Sequence, residues 1–241
     1  EGDYLEFQYA GWQASYSSTG SAMLITYTLT YYTTEAQERK VTKAAGQVIE
    51  ELGLGELNDY ETILAVYDYV TTHVSYDYQH LNNNNYKLQY TAYGALVNGR
   101  AVCDGYSRAF QLLCNRMDIE CVTVEGDAAE FNETVADESD VGHMWNCVRL
   151  GDDWYHVDVT WNDGEARIQQ YLYFNLSTEE VKKSHTIFPL YGEADPDDWL
   201  FLNLWLPSCD SEEYNYFVRE CPKLTALDED SDVVAALIEA A

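Results

Sequence analysis

Apolar and polar residues in the first third of the chain are arranged in a way that predicts one strand followed by two helices. Residues 22–32, AMLITYTLTYY, alternate and are rich in β-branched and aromatic side chains, which is typical of a strand. Residues 33–53 begin with threonine and stop at glycine, two signals that bound a helix. Residues 58–74 carry an apolar stripe at helical spacing, with Asn58 or Asp59 as the cap, and predict a second helix.

The middle of the chain predicts a loop, two further helices and a β-hairpin. Residues 76–90 contain a short asparagine tract and predict an exposed loop, and residues 91–99 predict a short helix that ends at Gly99. Apolar residues that recur every three to four positions then predict a central helix: Tyr106, Phe110, Leu113, Cys114 and Met117. Residues 141–150 and 154–161 predict two strands, because the sequence GDD between them favours a tight turn.

Cys103 lies at the start of the central helix and not on its apolar stripe. The amide N–H groups of a first helical turn lack intrahelical partners, and the helix dipole favours an anion there. A thiolate is such an anion, and helix N-termini make cysteines more reactive. The position therefore indicates a reactive thiol, and the alternative is an inert small residue at a helix start.

The predicted hairpin places a histidine and an acid where they can serve that cysteine. A two-residue turn at Gly151–Asp152 pairs His143 with Thr160, so that His143 and Asp158 become diagonal neighbours on one face of the sheet. A shift of one residue would separate them. A nucleophilic cysteine needs a base, and the base needs an orienting group, so Cys103, His143 and Asp158 form a candidate catalytic triad.

Two other interpretations of these side chains remain open. One is a zinc site, whose ligands would be Cys103, His143, His156 and Asp158. Structural zinc sites usually contain paired cysteines or histidines at short spacing, and this pattern is not present in the sequence. The other is ordinary packing and hydrogen bonding of the histidines and the acid within strands.

The composition is strongly acidic, with 42 Asp and Glu against 13 Lys and Arg and a net charge of -29. Such a charge repels phosphate backbones and anionic lipid surfaces, so we expect no nucleic-acid partner. No apolar run reaches the roughly 18 residues that a membrane span needs, so we expect no membrane insertion. Abundant Tyr, Asn and Thr with few Lys suit an extracellular or cell-surface bacterial domain.

Six cysteines are too few for a disulfide scaffold at this length. Cys114 falls on a helical stripe, and Cys121 and Cys147 fall in predicted strands, so these three are expected to be buried thiols. Cys209 and Cys221 flank an acidic, aromatic loop and are the pair most suited to a disulfide bridge.

Three segments resemble the transglutaminase-like cysteine-enzyme superfamily, especially its bacterial transglutaminase-like domain proteins. Residues 92–126, AYGALVNGRAVCDGYSRAFQLLCNRMDIECVTVEG, contain Cys103 in the C-x-G-Y context of the family nucleophile. Residues 142–163, GHMWNCVRLGDDWYHVDVTWND, carry the family histidine and acid as His143 and Asp158. A weaker match, YLYFNLSTEEVKKSH at residues 171–185, resembles the segment that follows the catalytic core.

The resemblance implies an α+β fold with a papain-like or transglutaminase-like core. In that core a central helix carries the cysteine and packs on an antiparallel sheet that supplies the histidine and the acid. Residues 58–190 would form the catalytic core, residues 1–57 an N-terminal strand and helix packed on it, and residues 191–241 a C-terminal extension. The last eleven residues, 231–241, predict a helix.

The implied activity is acyl chemistry on peptide or protein amides, without a cofactor and without a metal. Peptide hydrolysis is expected, because no calcium-regulatory element is recognisable in the sequence. Transfer of the acyl group to a lysine amine, as in a transglutaminase, is the first alternative, and a non-catalytic cell-surface binding module is the second. Tyr93 and Trp145 are candidates by position only for oxyanion binding or substrate positioning, and aromatic packing is the role otherwise expected of each.

Overall fold

The computed structural model describes most of the chain and all of the candidate triad. The described residues are 3–5, 8–81, 83–128, 142–161, 171–189 and 205–220. The helix predicted at 231–241 lies outside these ranges.

The N-terminal part forms a hairpin of two antiparallel strands, β1 (Tyr9–Ser18) and β2 (Met23–Tyr31). The predicted strand at 22–32 is confirmed, whereas β1 was not predicted from the sequence. Its small residues, in YAGWQASYSS, hide the alternation that identifies a strand. Large apolar side chains of this hairpin are exposed.

Both predicted N-terminal helices are confirmed, as α1 (Glu35–Glu51) and α2 (Asp59–His73). Each begins with a capping box. The side chain of Thr34 or Asn58 accepts a hydrogen bond from the backbone N–H of the third helical residue, and the backbone N–H of the cap donates to the side chain of that residue. The apolar faces of the two helices lie in the same hydrophobic core.

A short helix, α3 (Ala92–Leu96), and the central helix, α4 (Cys103–Arg116), follow. Gly99 has a φ of 66°, which glycine adopts without strain, and it lets the chain turn between them. A short parallel pair of strands, β3 (Ser75–Tyr76) and β4 (Arg100–Ala101), fixes the backbone just before Cys103.

A four-stranded antiparallel sheet packs on α4. Its strands are β5 (Cys121–Ala128), β6 (Gly142–Leu150), β7 (Asp153–Val157) and β8 (His185–Ile187), in the spatial order β7-β6-β5-β8. Two short helices, α5 (Thr178–Val181) and α6 (Tyr216–Glu220), complete the described elements. The expected α+β fold, with a central helix on an antiparallel sheet, is therefore confirmed.

Buried hydrogen bonds connect helix α4 to strand β6 of the sheet. Ser107 Oγ donates to the Met144 carbonyl at 2.8 Å, and Asn146 Nδ2 donates to the Ser107 carbonyl at 3.1 Å. These bonds join the second turn of α4 to the middle of β6, and they fix the distance between the helix start and the first residues of the strand. In the part of the chain that the structure describes, no helix is long and apolar enough to cross a bilayer.

The cysteines follow the sequence prediction with one exception. Cys114, Cys121 and Cys147 are buried free thiols, as predicted. The bridge between Cys209 and Cys221 is not supported, because Cys209 is a free thiol whose sulfur lies 3.7 Å from that of Cys147. Cys221 lies outside the described residues.

Gly105, two residues after Cys103, allows the first turn of α4 to approach the backbone of the preceding segment. A Cβ atom there would lie 2.6 Å from the Ala101 Cβ, 2.7 Å from the Gln89 carbonyl oxygen and 3.0 Å from the Thr91 carbonyl oxygen. Two of these atoms are backbone, so they cannot move aside cheaply. The glycine of the C-x-G-Y segment is therefore required by close packing at the helix start.

We predict that Gly105→Ala lowers the free energy of unfolding by about 1–3 kcal/mol, because the added methyl group overpacks this contact. Gly46 is the matched control, since it lies on the exposed face of α1 with nothing within 4 Å of its added Cβ. Gly46→Ala should stabilise the protein by about 0.5–1 kcal/mol through helix propensity. Urea denaturation of both variants provides the test, and equal effects would contradict the packing argument.

Candidate active site

Cys103 is the first residue of α4 and is nearly buried, with 7% of its surface exposed. Val102 precedes it as the N-cap and supplies no side-chain cap to the helix start. The thiol donates a hydrogen bond to Asp104 Oδ2 at 3.6 Å. The thiol therefore lies at the first turn of α4, beside its amide groups, as the sequence predicted for this position.

The β6–β7 hairpin brings His143 and Asp158 together in the predicted register. Leu150 pairs with Asp153 and Asn146 pairs with Val157, which is the register that the sequence predicted. His143 Nε2 donates to Asp158 Oδ2 at 2.7 Å. Diagonal neighbours on one face of the sheet thus form a direct hydrogen bond.

The imidazole of His143 links the acid to the cysteine. Cys103 lies close enough to hydrogen-bond with the His143 imidazole. This hydrogen bond and the charge of Cys103 both raise the pKa of His143. Because Nε2 is engaged by Asp158, Nδ1 is the ring nitrogen available to the thiol. The structure therefore brings all three candidate triad residues together in the order thiol, imidazole, carboxylate.

Asp158 is a hub for four hydrogen bonds. Its Oδ2 accepts from His143 and also from His185 Nε2 at 3.1 Å. Its Oδ1 accepts from the backbone N–H of Thr160 at 2.7 Å and of Trp161 at 3.3 Å. The carboxylate is 1% exposed, so these donors replace the water that it loses on burial.

Strand β7, the second strand of the predicted hairpin, is shorter than predicted, because the hydrogen bonds of Asp158 end it. Residues 154–161 were expected to be extended, but β7 ends at Val157 and the chain turns at Asp158. The turn follows from Oδ1, which draws the amide groups two and three residues ahead into an Asx-type turn.

The charges of this cluster support one another. Burial alone raises the pKa of Asp158, but the charge and hydrogen bond of His143, with the hydrogen bond of His185, hold it well below its usual range. Burial alone lowers the pKa of His143, but the charge and hydrogen bond of Asp158, together with Cys103, raise it to about 10. His143 is therefore an imidazolium at neutral pH, paired with an ionised carboxylate.

His185 is a member of this cluster that the sequence interpretation did not single out. It begins β8, is buried, and packs edge-on against Trp145 with ring centroids 4.9 Å apart. Ser184 Oγ lies 2.8 Å from its Nδ1. The only sequence signal was its place at the end of the weak match at 171–185, since pairing with Asp158 joins residues 27 positions apart.

The two candidates for oxyanion binding have other contacts in the described structure. The indole N–H of Trp145 donates to His156 Nδ1 at 3.1 Å, and the ring is fully buried. Tyr93 belongs to the hydrophobic core, and Lys40 Nζ lies 6.0 Å from its ring centroid. Packing is the role that these contacts give to both aromatic residues.

The zinc alternative with four ligands is not assembled. His156 hydrogen-bonds with Trp145 and Cys147, apart from the cluster around Asp158. Within the described ranges, two separate groups have ligand atoms within 4.8 Å of one another. One consists of His143, Asp158 and His185, and the other of Cys147, His156 and Cys209.

We predict that Asp158→Asn moves the titration of His143 from about pH 10 towards neutral pH, because the carboxylate is what opposes the effect of burial. NMR titration of the imidazole measures this directly. Glu120→Gln, which removes an exposed carboxylate paired with Arg149, should leave it unchanged.

The same shift has a consequence for stability. Folded His143 keeps its proton up to about pH 10, whereas the unfolded imidazole loses it near 6.5. Its contribution to the free energy of unfolding is therefore full below pH 6.5 and is lost as the pH rises towards 10. Titration of His143 near its ordinary value in the unmodified protein would contradict both statements.

Comparison with known proteins agrees with this arrangement. The family model described as the transglutaminase-like superfamily matches residues 46–159. Kyphoscoliosis peptidase of Mus musculus is 28% identical over 136 residues, which are 52% of this chain and 20% of that protein. The Homo sapiens protein is 27% identical over 139 residues, 53% of this chain and 21% of its own length.

The matching segment thus spans about a fifth of the length of these curated relatives. A crystal structure described as a TGase aligns with a TM-score of 0.46 and 19% identity, over 66% of this chain and 47% of its own. The family match covers the segment that carries all three residues of the hydrogen-bonded cluster, Cys103, His143 and Asp158. Residues 46–159 of this chain are therefore similar to the transglutaminase-like superfamily.

Proposed function

We propose that this chain is a cysteine enzyme that hydrolyses peptide or protein amides. Cys103 would be the nucleophile, His143 the general base and acid, and Asp158 the residue that orients the imidazole and stabilises its charge. The observation that carries the proposal is the arrangement of Cys103 at a helix start beside an imidazole whose far nitrogen is held by a buried carboxylate.

The first half of the reaction forms a thioester. The Cys103 sulfur reacts as the thiolate of a thiolate–imidazolium pair, in which its proton already rests on His143 Nδ1. It attacks the amide carbonyl carbon and forms a C–S bond. The carbonyl oxygen becomes an oxyanion. As it collapses, the C–N bond breaks, and the leaving amine takes the proton from His143.

The second half of the reaction releases the acid. Neutral His143 removes a proton from water, and the resulting hydroxide attacks the thioester carbon. Collapse of the second oxyanion breaks the C–S bond, releases a carboxylic acid and restores the thiolate–imidazolium pair. Asp158 remains ionised throughout, because its four hydrogen bonds favour the charged form.

The start of α4 offers a place for the oxyanion. The backbone N–H of Cys103 belongs to the first turn, where amide groups point out of the helix end. The backbone of Gln89 lies against this turn, because its backbone carbonyl oxygen accepts from the Val102 N–H at 3.0 Å, and the residue is fully buried. Neither the amide nitrogen nor the amide oxygen of its side chain has a described hydrogen-bond partner. We assign the Gln89 amide as the second oxyanion donor.

A cavity of about 210 Å³ beside the first turn of α4 suits a substrate side chain. Its lining residues are Gln8, Tyr32, Lys87, Tyr90, Asp104 and Arg108. Asp104 joins the cavity to the nucleophile, because its carboxylate accepts the hydrogen bond of the Cys103 thiol. Two tyrosine rings with charged groups of both signs favour a polar side chain with an apolar stem.

The overall charge favours basic peptides as substrates. A net charge of -29 attracts cationic segments and raises their rate of encounter, and salt weakens this effect. The two relatives are named kyphoscoliosis peptidase, and this supports hydrolysis rather than acyl transfer. The extracellular or cell-surface location stays a prediction from composition.

The test uses a library of peptides incubated with the reduced protein in H₂¹⁸O that also contains a biotinylated primary amine. Hydrolysis places ¹⁸O in the new carboxyl group, whereas acyl transfer attaches the biotin. We expect ¹⁸O products from the unmodified protein. Biotinylated products without ¹⁸O would replace hydrolysis with transamidation, and the absence of both would contradict an enzymatic role.

We predict that Cys103→Ala removes turnover and that Asp158→Asn lowers it by roughly 10⁴-fold, by analogy with the serine triad. Cys114→Ala is the matched control, because Cys114 is a buried thiol on the same helix without a place in the site. It should cost stability but leave kcat within about threefold of normal. Comparable losses in Cys103→Ala and Cys114→Ala would show that the site is assigned to the wrong cysteine.

Gln89→Met provides a separate prediction, because it removes the donor and keeps the side-chain length. Loss of one oxyanion donor should lower kcat by roughly 10²–10³. The same change should maintain or raise the thermal midpoint, since a buried amide without a partner destabilises a fold. Gln111→Met is the control: its amide donates to the Cys121 carbonyl at 3.2 Å, so it should lower stability and spare kcat. Unchanged turnover in Gln89→Met would remove Gln89 from the mechanism.

A further inference from the structure

A second cluster of chemically active side chains lies on the same hairpin as the candidate active site. Cys147 on β6 is paired directly with His156 on β7, and the thiol of Cys209 reaches them from the segment 205–211. All three are buried, with 0%, 2% and 0% of their surfaces exposed. The mechanism proposed above uses none of them.

The distances in this cluster fit one tetrahedral metal ion. Zn–S bonds of about 2.3 Å and Zn–N bonds of about 2.0–2.1 Å place two sulfurs about 3.8 Å apart and a sulfur and a nitrogen about 3.6 Å apart. The sulfurs of Cys147 and Cys209 are 3.7 Å apart, and Cys147 Sγ lies 3.2 Å from His156 Nδ1. The ligand atoms of all three residues lie within 4.8 Å of one another. The two distances from Cys147 differ from these values by only a few tenths of an ångström.

The tautomer of His156 suits a metal ligand. The indole N–H of Trp145 can only donate, and it donates to Nδ1 at 3.1 Å, so Nδ1 carries a lone pair. The proton is therefore on Nε2, which donates to Thr178 Oγ1 at 3.2 Å. A metal ion would take the lone pair of Nδ1, and the hydrogen bond from the indole N–H would break when the Zn–N bond forms. Metal-binding histidines commonly present one lone pair to the ion and anchor the other nitrogen in this way.

The His156 side of the cluster borders a cavity. Its volume is about 360 Å³, and its polar lining includes Thr178, Lys182, Ser208 and Asp210. A water molecule from this cavity would supply the fourth ligand of a tetrahedral ion. The backbone also holds the third ligand in place, because the Thr178 N–H donates to the Cys209 carbonyl at 2.7 Å.

We propose that Cys147, His156 and Cys209 bind one Zn²⁺ ion and that the ion fastens the segment 205–211 to the sheet. On binding, the two thiols release their protons to solvent and the sulfurs coordinate as thiolates. Two sulfurs and one imidazole nitrogen form a donor set that zinc prefers. A disulfide between the two cysteines would account for the close approach of their sulfurs, but it would not account for the position of His156 beside them.

The proposed ion lies near the candidate triad but outside it. Trp145 separates the two sites, with its indole N–H on His156 and its ring stacked on His143 at a centroid distance of 5.9 Å. Zinc would therefore stabilise the sheet that carries His143 without touching the reacting atoms. The inference does not depend on the proposed hydrolysis.

The test titrates the reduced, full-length Cys103→Ala protein with Co²⁺ under anaerobic conditions. This background removes the thiol of the candidate active site. We expect one equivalent of Co²⁺ to give the intense visible bands of a tetrahedral site with thiolate-to-cobalt charge transfer. Zn²⁺ should then displace the cobalt, because it binds such sites more tightly.

Cys209→Ser and His156→Gln should weaken the binding by more than the roughly 10–100-fold that loss of an outer contact costs. Cys114→Ser, which changes a buried cysteine outside the cluster, should leave the cobalt spectrum unchanged. If Cys209→Ser fails to fold, the spectrum in the Cys103→Ala background still decides the question, since its charge-transfer intensity reports two thiolates.

Three results would overturn the proposal. The first is the absence of thiolate bands when the reduced protein is given excess Co²⁺. A Cys147–Cys209 disulfide found in the oxidised protein would not alter that conclusion. The second is a cobalt spectrum that survives both ligand substitutions. The third is binding that disappears in His185→Gln instead, which would assign the metal to the cluster around Asp158.

Discussion

A single buried carboxylate, that of Asp158, organises the candidate active site. Removing an ion of this size from water costs several kcal/mol unless other donors take the place of the lost solvent. Four donors do so here: two imidazoles and two backbone amides. Through them the carboxylate ends strand β7, fixes the His143 ring and links β8 to the hairpin.

This arrangement also couples charge to position. The pKa of His143 is raised to about 10 because the carboxylate outweighs the effect of burial, so the imidazolium persists at neutral pH beside the thiol. The close packing of Gly105 against the preceding backbone then sets how near the start of α4 comes to that imidazolium. The charge on His143 and the packing of Gly105 thus both depend on contacts close to Cys103.

The β6–β7 hairpin was largely predictable from the sequence, for identifiable reasons. The GDD turn determined the register, and the period of two then assigned His143 and Asp158 to one face. The helix bounds followed from capping residues at Thr34 and Asn58. These signals are local, lying within a few residues of the feature that they specify.

What the sequence did not reveal depends on contacts between distant segments. His185 meets Asp158 across 27 positions, and Cys209 meets Cys147 across 62, so that the predicted bridge to Cys221 was wrong. No local pattern distinguishes such pairings from ordinary burial.

The central claim is that Cys103, His143 and Asp158 act as one unit, and a double-mutant cycle on turnover tests it most directly. Residues that act together show strongly non-additive losses, as in other catalytic triads. Turnover would be measured for His143→Gln, for Asp158→Asn and for the protein with both changes. The account predicts that the double variant is no slower than His143→Gln alone, because Asp158 acts only through the imidazole. Losses that multiply across the two substitutions would contradict it.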